Sequence, residues 1–140
     1  MENEVYLKLI ETSSADLKRN YVPAYYFDIY LTKNDIKVGT CDLRVGYNNN
    51  TFLGGNIGYE IDPPYRGHYY AAKACLLLLE LAKTNQMPYV IITCAPDNIA
   101  SRKTCEKLGA TYLATIPVPA EHELYHAGQT TTCQYKINIL

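Results

Sequence analysis

The chain has 140 residues, 48% of them apolar and 19% charged, with a net charge of −1. These totals describe an ordinary soluble globular protein, long enough for a single domain over residues 1–140 that buries about two thirds of its unfolded surface. Near-neutral charge argues against long-range attraction to nucleic acid or an anionic membrane. The longest apolar stretch, around Ala74 to Ala82, is broken by Glu80 and falls well short of the roughly 18 residues a membrane span requires. The acidic start, Met1-Glu2-Asn3-Glu4, does not read as a signal peptide. Five scattered cysteines (Cys41, Cys75, Cys94, Cys105, Cys133) are odd in number and never form a C-x-x-C pair, so reduced, buried thiols in a cytoplasmic protein are expected. Fourteen tyrosines stand against two phenylalanines and no tryptophan, which implies sheet faces lined by tyrosine rings with their hydroxyls turned to water or ligand.

In chain order, Val5 to Ile10 alternates as a first strand, and Thr12-Ser13-Ser14 offers an N-cap for a helical turn over Ala15 to Arg19. Pro23 ends that turn, and Tyr25 to Leu31 is a second strand. Asn34-Asp35 turns the chain into a third strand, Lys37 to Gly46. The polar cluster Tyr47 to Asn50, with Gly54-Gly55, predicts a hairpin into a fourth strand, Asn56 to Asp62. A Pro-rich elbow and an Arg-Gly-His turn lead to a long helix from Tyr69 to about Asn85. Its leucines at 76, 77, 78, 79 and 81 predict burial on more than one side. Pro88 to Cys94 is a short β-branched run, hence a buried strand. Strand, helix and strand in this order predict a parallel crossover, with its loop at the carboxyl end of the fourth strand, where ligands bind. Asp97 or Asn98 caps the next helix and Gly109 ends it. Thr111 to Val118 and Thr131 to Ile139 are the last strands, and an exposed final strand would favour a homodimer.

The stretch Asn56 to Ala82 carries the chemistry. A helix that starts after a strand and a glycine presents unpaired amides and a positive dipole end, which is a site for an anion such as a phosphate. The same local features also describe an ordinary connection whose glycine only makes a turn.

Arg66-Gly67-His68-Tyr69-Tyr70-Ala71 resembles the pyrophosphate loop of the GNAT superfamily of acyl-CoA N-acyltransferases, with tyrosine at the position where the family has its inner glycine. Gly58-Tyr59-Glu60-Ile61-Asp62-Pro63, Ala71-x-x-Ala74, Asn98-x-x-Ser101 and Glu106-Lys107-Leu108-Gly109 match as well. The grouping looks most like the branch containing ribosomal-protein N-acetyltransferases. The resemblance covers Lys37 to Leu113 well and the two ends only in outline. It implies a three-layer α/β/α domain with a mixed, mostly antiparallel sheet of about seven strands, and transfer of an acetyl group from acetyl-CoA to an amine by direct attack. The acceptor is a small-molecule or peptide amine whose identity is not read from these residues. The connection between the first two strands, which helps cover the acceptor in the family, is short here and implies an open or partner-completed pocket.

By the same resemblance, Arg66, Gly67, His68, Tyr69, Tyr70 and Ala71 hold the diphosphate, the Ile61 backbone pairs with the pantetheine arm, and Asn98 and Ser101 contact the cofactor across the cleft. Asn98 also reads as a plain helix cap, and Arg66 as a solvated charge. Tyr69 is expected to donate its amide without a positive φ. Glu60 is the candidate base, a carboxylate raised by partial burial; the other reading is a polar residue on the less buried strand face. Many relatives place an acid, a tyrosine, where Cys105 stands; Cys105, Tyr112 and Tyr125 remain as candidates, or no acid at all. Arg102, Lys103 and Lys107 form a modest basic face, read as solvated, with Arg102 or Lys103 as the alternative contact to the cofactor's 3′-phosphate.

Two further readings compete. A non-catalytic acyl-CoA binding or sensing module fits Tyr69 and Cys105. His122-Glu123-Leu124-Tyr125-His126 spells the H-E-x-x-H zinc-peptidase signature, yet the fourteen residues after His126 offer only Cys133 as a third ligand, so no metal is expected.

Overall fold

The computed structural model describes residues 4–139. Strands β1 (Val5–Ser13), β2 (Ala24–Leu31), β3 (Lys37–Arg44) and β4 (Ile57–Ile61) form an antiparallel sheet in that order. Strands β5 (Tyr89–Cys94), β6 (Thr111–Pro117) and β7 (Thr131–Asn138) form a second antiparallel sheet with β7 in the middle. The last strand is therefore covered on both edges, contrary to the expectation of an exposed one; β1 and β6 are the outer edges. The α-helices are α1 (Asn49–Gly54), α2 (Tyr70–Thr84), α3 (Ile99–Lys107) and α4 (Glu123–His126).

Register puts every second residue of the first sheet on one face. Leu7, Ile29, Gly39 and Ile61 lie in one row across the four strands, and Leu9, Phe27, Cys41 and Tyr59 in the next. Helix α2 packs on this face through Ala71, Ala74, Cys75, Leu78 and Ala82, which recur with the period of one helix face. Four of these five are small residues, which lets the helix lie close on the sheet. Leu77, Leu79 and Leu81 pack partly buried beside Leu78, in line with burial on more than one side, while Leu76 points outward, 55% exposed. Helix α3 lies beside α2, and Cys75, Cys94, Cys105 and Cys133 meet in one core with Leu78, Val90 and Ile92.

On β7, Cys133 and Tyr135 face that core, while Gln134 turns to the opposite side and its Nε2 donates to the Phe52 carbonyl of α1 at 2.7 Å. Helices therefore occupy both sides of the second sheet, and the arrangement is a mixed α/β fold of seven strands in two antiparallel sheets.

Two connections differ from their expected form. Residues 15–19 make no helical turn. Asp16 and Tyr21 form a bridge, and Asp16 Oδ1 accepts from the amides of Lys18 and Arg19, because a short carboxylate competes with the helix for local donors. The strands β3 and β4 pair antiparallel as the expected hairpin, but their connection contains helix α1. Its cause is a capping box: Asn48 Oδ1 accepts from the Thr51 amide, and Thr51 Oγ1 accepts from the Asn48 amide.

Candidate active site

Among the described residues, hydrogen bonds join the two sheets at the head of β4, and no backbone ladder continues along it. The Asn56 amide donates to the Ile91 carbonyl at 2.6 Å, and the Ile91 amide donates to Asn56 Oδ1 at 2.9 Å. Asn56 is fully buried, and its Nδ2 also donates to the carbonyls of Arg44 and Gly46. Gly55 allows this approach: a Cβ there would lie 3.0 Å from the Ile91 carbonyl oxygen, at a φ of +83° that disfavours any other residue. Beyond this junction β4 pairs only with β3, so the expected strand-helix-strand unit carries no ladder between β4 and β5.

That divergence leaves backbone groups of β4 unpaired. The Asp62 amide donates to Val38 on β3, so by strand alternation Tyr59 and Ile61 turn their amides and carbonyls to the other edge. The Ile61 carbonyl is met there by Arg66 Nε at 2.7 Å. Arg66 is therefore tied back onto the strand end rather than simply solvated.

The loop after β4 turns through Gly67, at φ +93°, and Tyr69, at φ +61° and ψ 25°. Tyr69 thus does adopt the left-handed conformation it was expected to avoid. The reason is steric: the chain reverses into α2 within two residues, and position 69 is its N-cap. A bulky side chain there costs about 1–2 kcal/mol. Its ring lies under Lys107 Nζ, 4.8 Å from the centroid, and reaches from the start of α2 to the end of α3. His68 stacks on Tyr70 at 5.2 Å.

The first helical bond of α2 runs from the Lys73 amide to the Tyr69 carbonyl, which leaves the amides of Tyr70, Ala71 and Ala72 without helical partners. Among the described residues no side chain caps them. Gly67, His68 and Tyr69 likewise make no backbone hydrogen bond through their amides among the described residues. A row of free donors at the positive end of a 15-residue helix suits a diphosphate.

Across the gap, Asn98 caps α3 by accepting from the Ser101 amide at 3.1 Å, and Gly109, at φ +75°, ends the helix. Ser101 is buried, and its Oγ lies 2.6 Å from the Tyr59 hydroxyl. Sequence reasoning passed over Tyr59. Its signal was positional, since it alternates with Glu60 and so must face the helices while Glu60 faces away.

Glu60 sits on that other face of the first sheet, which no helix of the described residues covers. It is exposed, so the partial burial expected for it is absent. Glu60 lines a groove of about 390 Å³ with Glu11, Tyr26, Thr40, Asp42 and Arg44. Burial raises the Asp42 carboxyl above its ordinary value, opposed by Arg44, whose Nε lies 2.9 Å from Asp42 Oδ2. Arg44 Nη1 also donates to the carbonyls of Gly54 and Gly55, fastening α1 to β3.

Cys105 is buried to 0% exposure, and burial pushes its thiol up to about 12. Tyr112 bonds Thr115 Oγ1 on β6, and Tyr125 belongs to α4. The H-E-x-x-H stretch forms only the short α4. His122 Nδ1 accepts from the Leu124 amide, and so Nε2 carries the proton and donates to Asn50 Oδ1 at 3.1 Å. Among the described residues no group of three or more His, Cys, Asp or Glu comes together as a metal site.

Comparison with known proteins agrees with this geometry. Residues 3–111 match the family model described as the acetyltransferase (GNAT) domain. Curated protein sequences provide no match. Among solved structures, an acetyltransferase of the GNAT family from Bacillus anthracis is 23% identical with a TM-score of 0.66, covering 81% of this chain and 66% of its own. The microcin C7 self-immunity acetyltransferase, solved with acetyl-CoA and AMP, is 19% identical with a TM-score of 0.65, over 83% of this chain and 61% of its own. A Salmonella typhimurium acetyltransferase that modifies the N-terminal serine of the ribosomal protein L7/L12 is 18% identical with a TM-score of 0.65, over 88% and 67%. The chain therefore spans less than two thirds of the length of several of the proteins it resembles. With more than half of its residues inside the family model and its sheets parted beside an uncapped helix start, the chain belongs to the GNAT acetyltransferase family.

Proposed function

We propose that residues 1–140 act as one N-acetyltransferase domain that moves an acetyl group from acetyl-CoA to an amine by direct attack. One observation carries this reading: free amides at the start of α2 lie at the end of β4, next to a strand edge that β5 has left unpaired. The diphosphate is held by the amides of Gly67, His68, Tyr69, Tyr70 and Ala71, with Arg66 as the nearby cation. The pantetheine arm runs along β4 opposite Ile61. Asn98 and Ser101 form the far wall, Asn98 with its Nδ2 still available after capping α3. When bound, acetyl-CoA supplies an activated acyl group on a thiol leaving group.

Glu60 accepts the proton of the amine on the open face of the sheet. Its exposure fits a base that works through water and gains its burial from the acceptor. The uncovered groove favours a peptide amine over a small molecule enclosed on all sides. The likeness to an enzyme that modifies an N-terminal serine supports the same acceptor class. Five buried, unpaired cysteines support a reducing, cytoplasmic setting.

A non-catalytic acyl-CoA sensor is the second reading, favoured by the strained Tyr69 and by a buried Cys105 at the usual acid position. Titration calorimetry with acetyl-CoA, followed by thiol release with amines and short peptides, separates the two. Binding with acceptor-dependent release is expected. Binding with no release from any acceptor identifies the sensor, and no binding removes both.

A further inference from the structure

Expulsion of a thiolate calls for a group that stabilises negative charge on sulfur. None of the candidates named from sequence is placed for it. Cys105 is sealed in the core, Tyr112 is engaged on β6, and Tyr125 belongs to the short helix between β6 and β7. We propose instead that the Tyr59 hydroxyl donates a hydrogen bond to the leaving sulfur, oriented by Ser101; this rests on the acetyl-CoA reading above.

Tyr59 lies three residues past the Asn56–Ile91 junction, in the part of β4 that has separated from β5. Its ring crosses the gap between β4 and α3, and its oxygen stands 2.6 Å from Ser101 Oγ. The Tyr59 hydroxyl also lies 3.5 Å from the Ser101 carbonyl; with the Ser101 hydroxyl donating to the tyrosine oxygen, that long contact is the one the tyrosine O–H gives up to reach a sulfur in the cleft. A chain of two hydroxyls also polarises the outer one and strengthens it as a donor. Ser101 is held for this role by the Asn98 cap on its amide.

The step balances without an acid. The carbon–nitrogen bond has formed and the amine proton has gone to Glu60. The carbonyl pair, pushed onto oxygen by the attack, then returns to re-form the C=O bond as the carbon–sulfur bond breaks, and that bond's pair stays on sulfur, facing the Tyr59 O–H. Burial raises the tyrosine hydroxyl far above its usual range, so its proton stays on oxygen. Tyr59 thus stabilises charge, in the manner of an oxyanion hole, and transfers nothing.

The test uses the full chain with CoA as the probe and needs no acceptor. Ionisation of the bound thiol is followed by its ultraviolet thiolate absorbance against pH, with the CoA-free protein subtracted, and calorimetry confirms that each variant binds CoA. Tyr59→Phe is expected to raise the ionisation pH of bound CoA by about one to two, as loss of a hydrogen bond to a charged group requires. Ser101→Ala, which leaves the hydroxyl in place but unoriented, is expected to raise it by less. An unchanged ionisation in CoA-bound Tyr59→Phe overturns the proposal. If Tyr59→Phe does not fold, an unchanged ionisation in Ser101→Ala overturns it. If the wild-type chain binds no CoA, the cofactor reading itself fails and takes this inference with it.

Discussion

Asn56 and Ile91 exchange two hydrogen bonds, amide to carbonyl at 2.6 Å and side-chain oxygen to amide at 2.9 Å, and these join the two sheets at the head of β4. A fully buried asparagine here does the work of a whole ladder, and the divergence of β4 from β5 starts from it. Asn56→Ala removes three side-chain hydrogen bonds and strands the Ile91 amide and the carbonyls of Arg44 and Gly46. A loss of about 3–5 kcal/mol is expected, since each stranded group costs about 1–3 kcal/mol. Urea denaturation followed by circular dichroism measures it.

Tyr69 allows backbone strain to be separated from side-chain contact. Its φ of +61° suits glycine, while its ring carries the Lys107 contact. Tyr69→Gly and Tyr69→Ala both lose the ring, and only glycine relieves the strain. The glycine variant is expected to be more stable than the alanine variant by about 1 kcal/mol. It is also expected to bind acetyl-CoA more tightly than wild type by calorimetry, because the phosphate then approaches the amides without a side chain beside them.

Glu60→Gln keeps the shape of the side chain and removes its basicity. Acceptor-dependent thiol release is expected to fall by about 100-fold or more, the scale of general-base contributions, with little change in acetyl-CoA affinity. Equal losses in both would place Glu60 in binding instead.

The cysteines set an alkaline limit. Burial pushes the thiols of Cys41 and Cys105 up to about 12, and raises those of Cys75 and Cys94 as well. An unfolded thiol ionises near about 8.5. Between the two values the unfolded chain sheds protons that the folded chain retains, so folding stability is full below the lower value and falls as pH rises. The expected slope reaches about 1.4 kcal/mol per pH unit for each such thiol. Urea midpoints measured from neutral pH to pH of about 10.5 should show little change at first and then a steep decline. A thiol-reactive dye at neutral pH should label the native chain slowly and the denatured chain at all five positions.

Much of this was local enough to read along the chain. Strand alternation and the apolar run after Arg66 located the seven strands and the helices α2 and α3. Asn98 and Gly109 marked the ends of α3 because caps depend on neighbouring residues alone. The loop at residues 66–71 was visible for the same reason. Local competition explains what differed: Asp16 captured two amides and replaced a helical turn, and Asn48 with Thr51 capped a helix inside the connection of the β3–β4 hairpin.

By itself, then, the sequence determined which segments are strands and helices, where the glycine turn before α2 falls and which family carries it, since each follows from the chemistry of residues within a few positions of one another. Tertiary structure decided the rest. It placed β7 between β5 and β6, parted β4 from β5 beyond Asn56, set Glu60 on an uncovered face, and brought Tyr59 against Ser101, 42 residues away. Those outcomes depend on which distant surfaces bury one another, and a strand carries no local mark of the partner or the face it will meet.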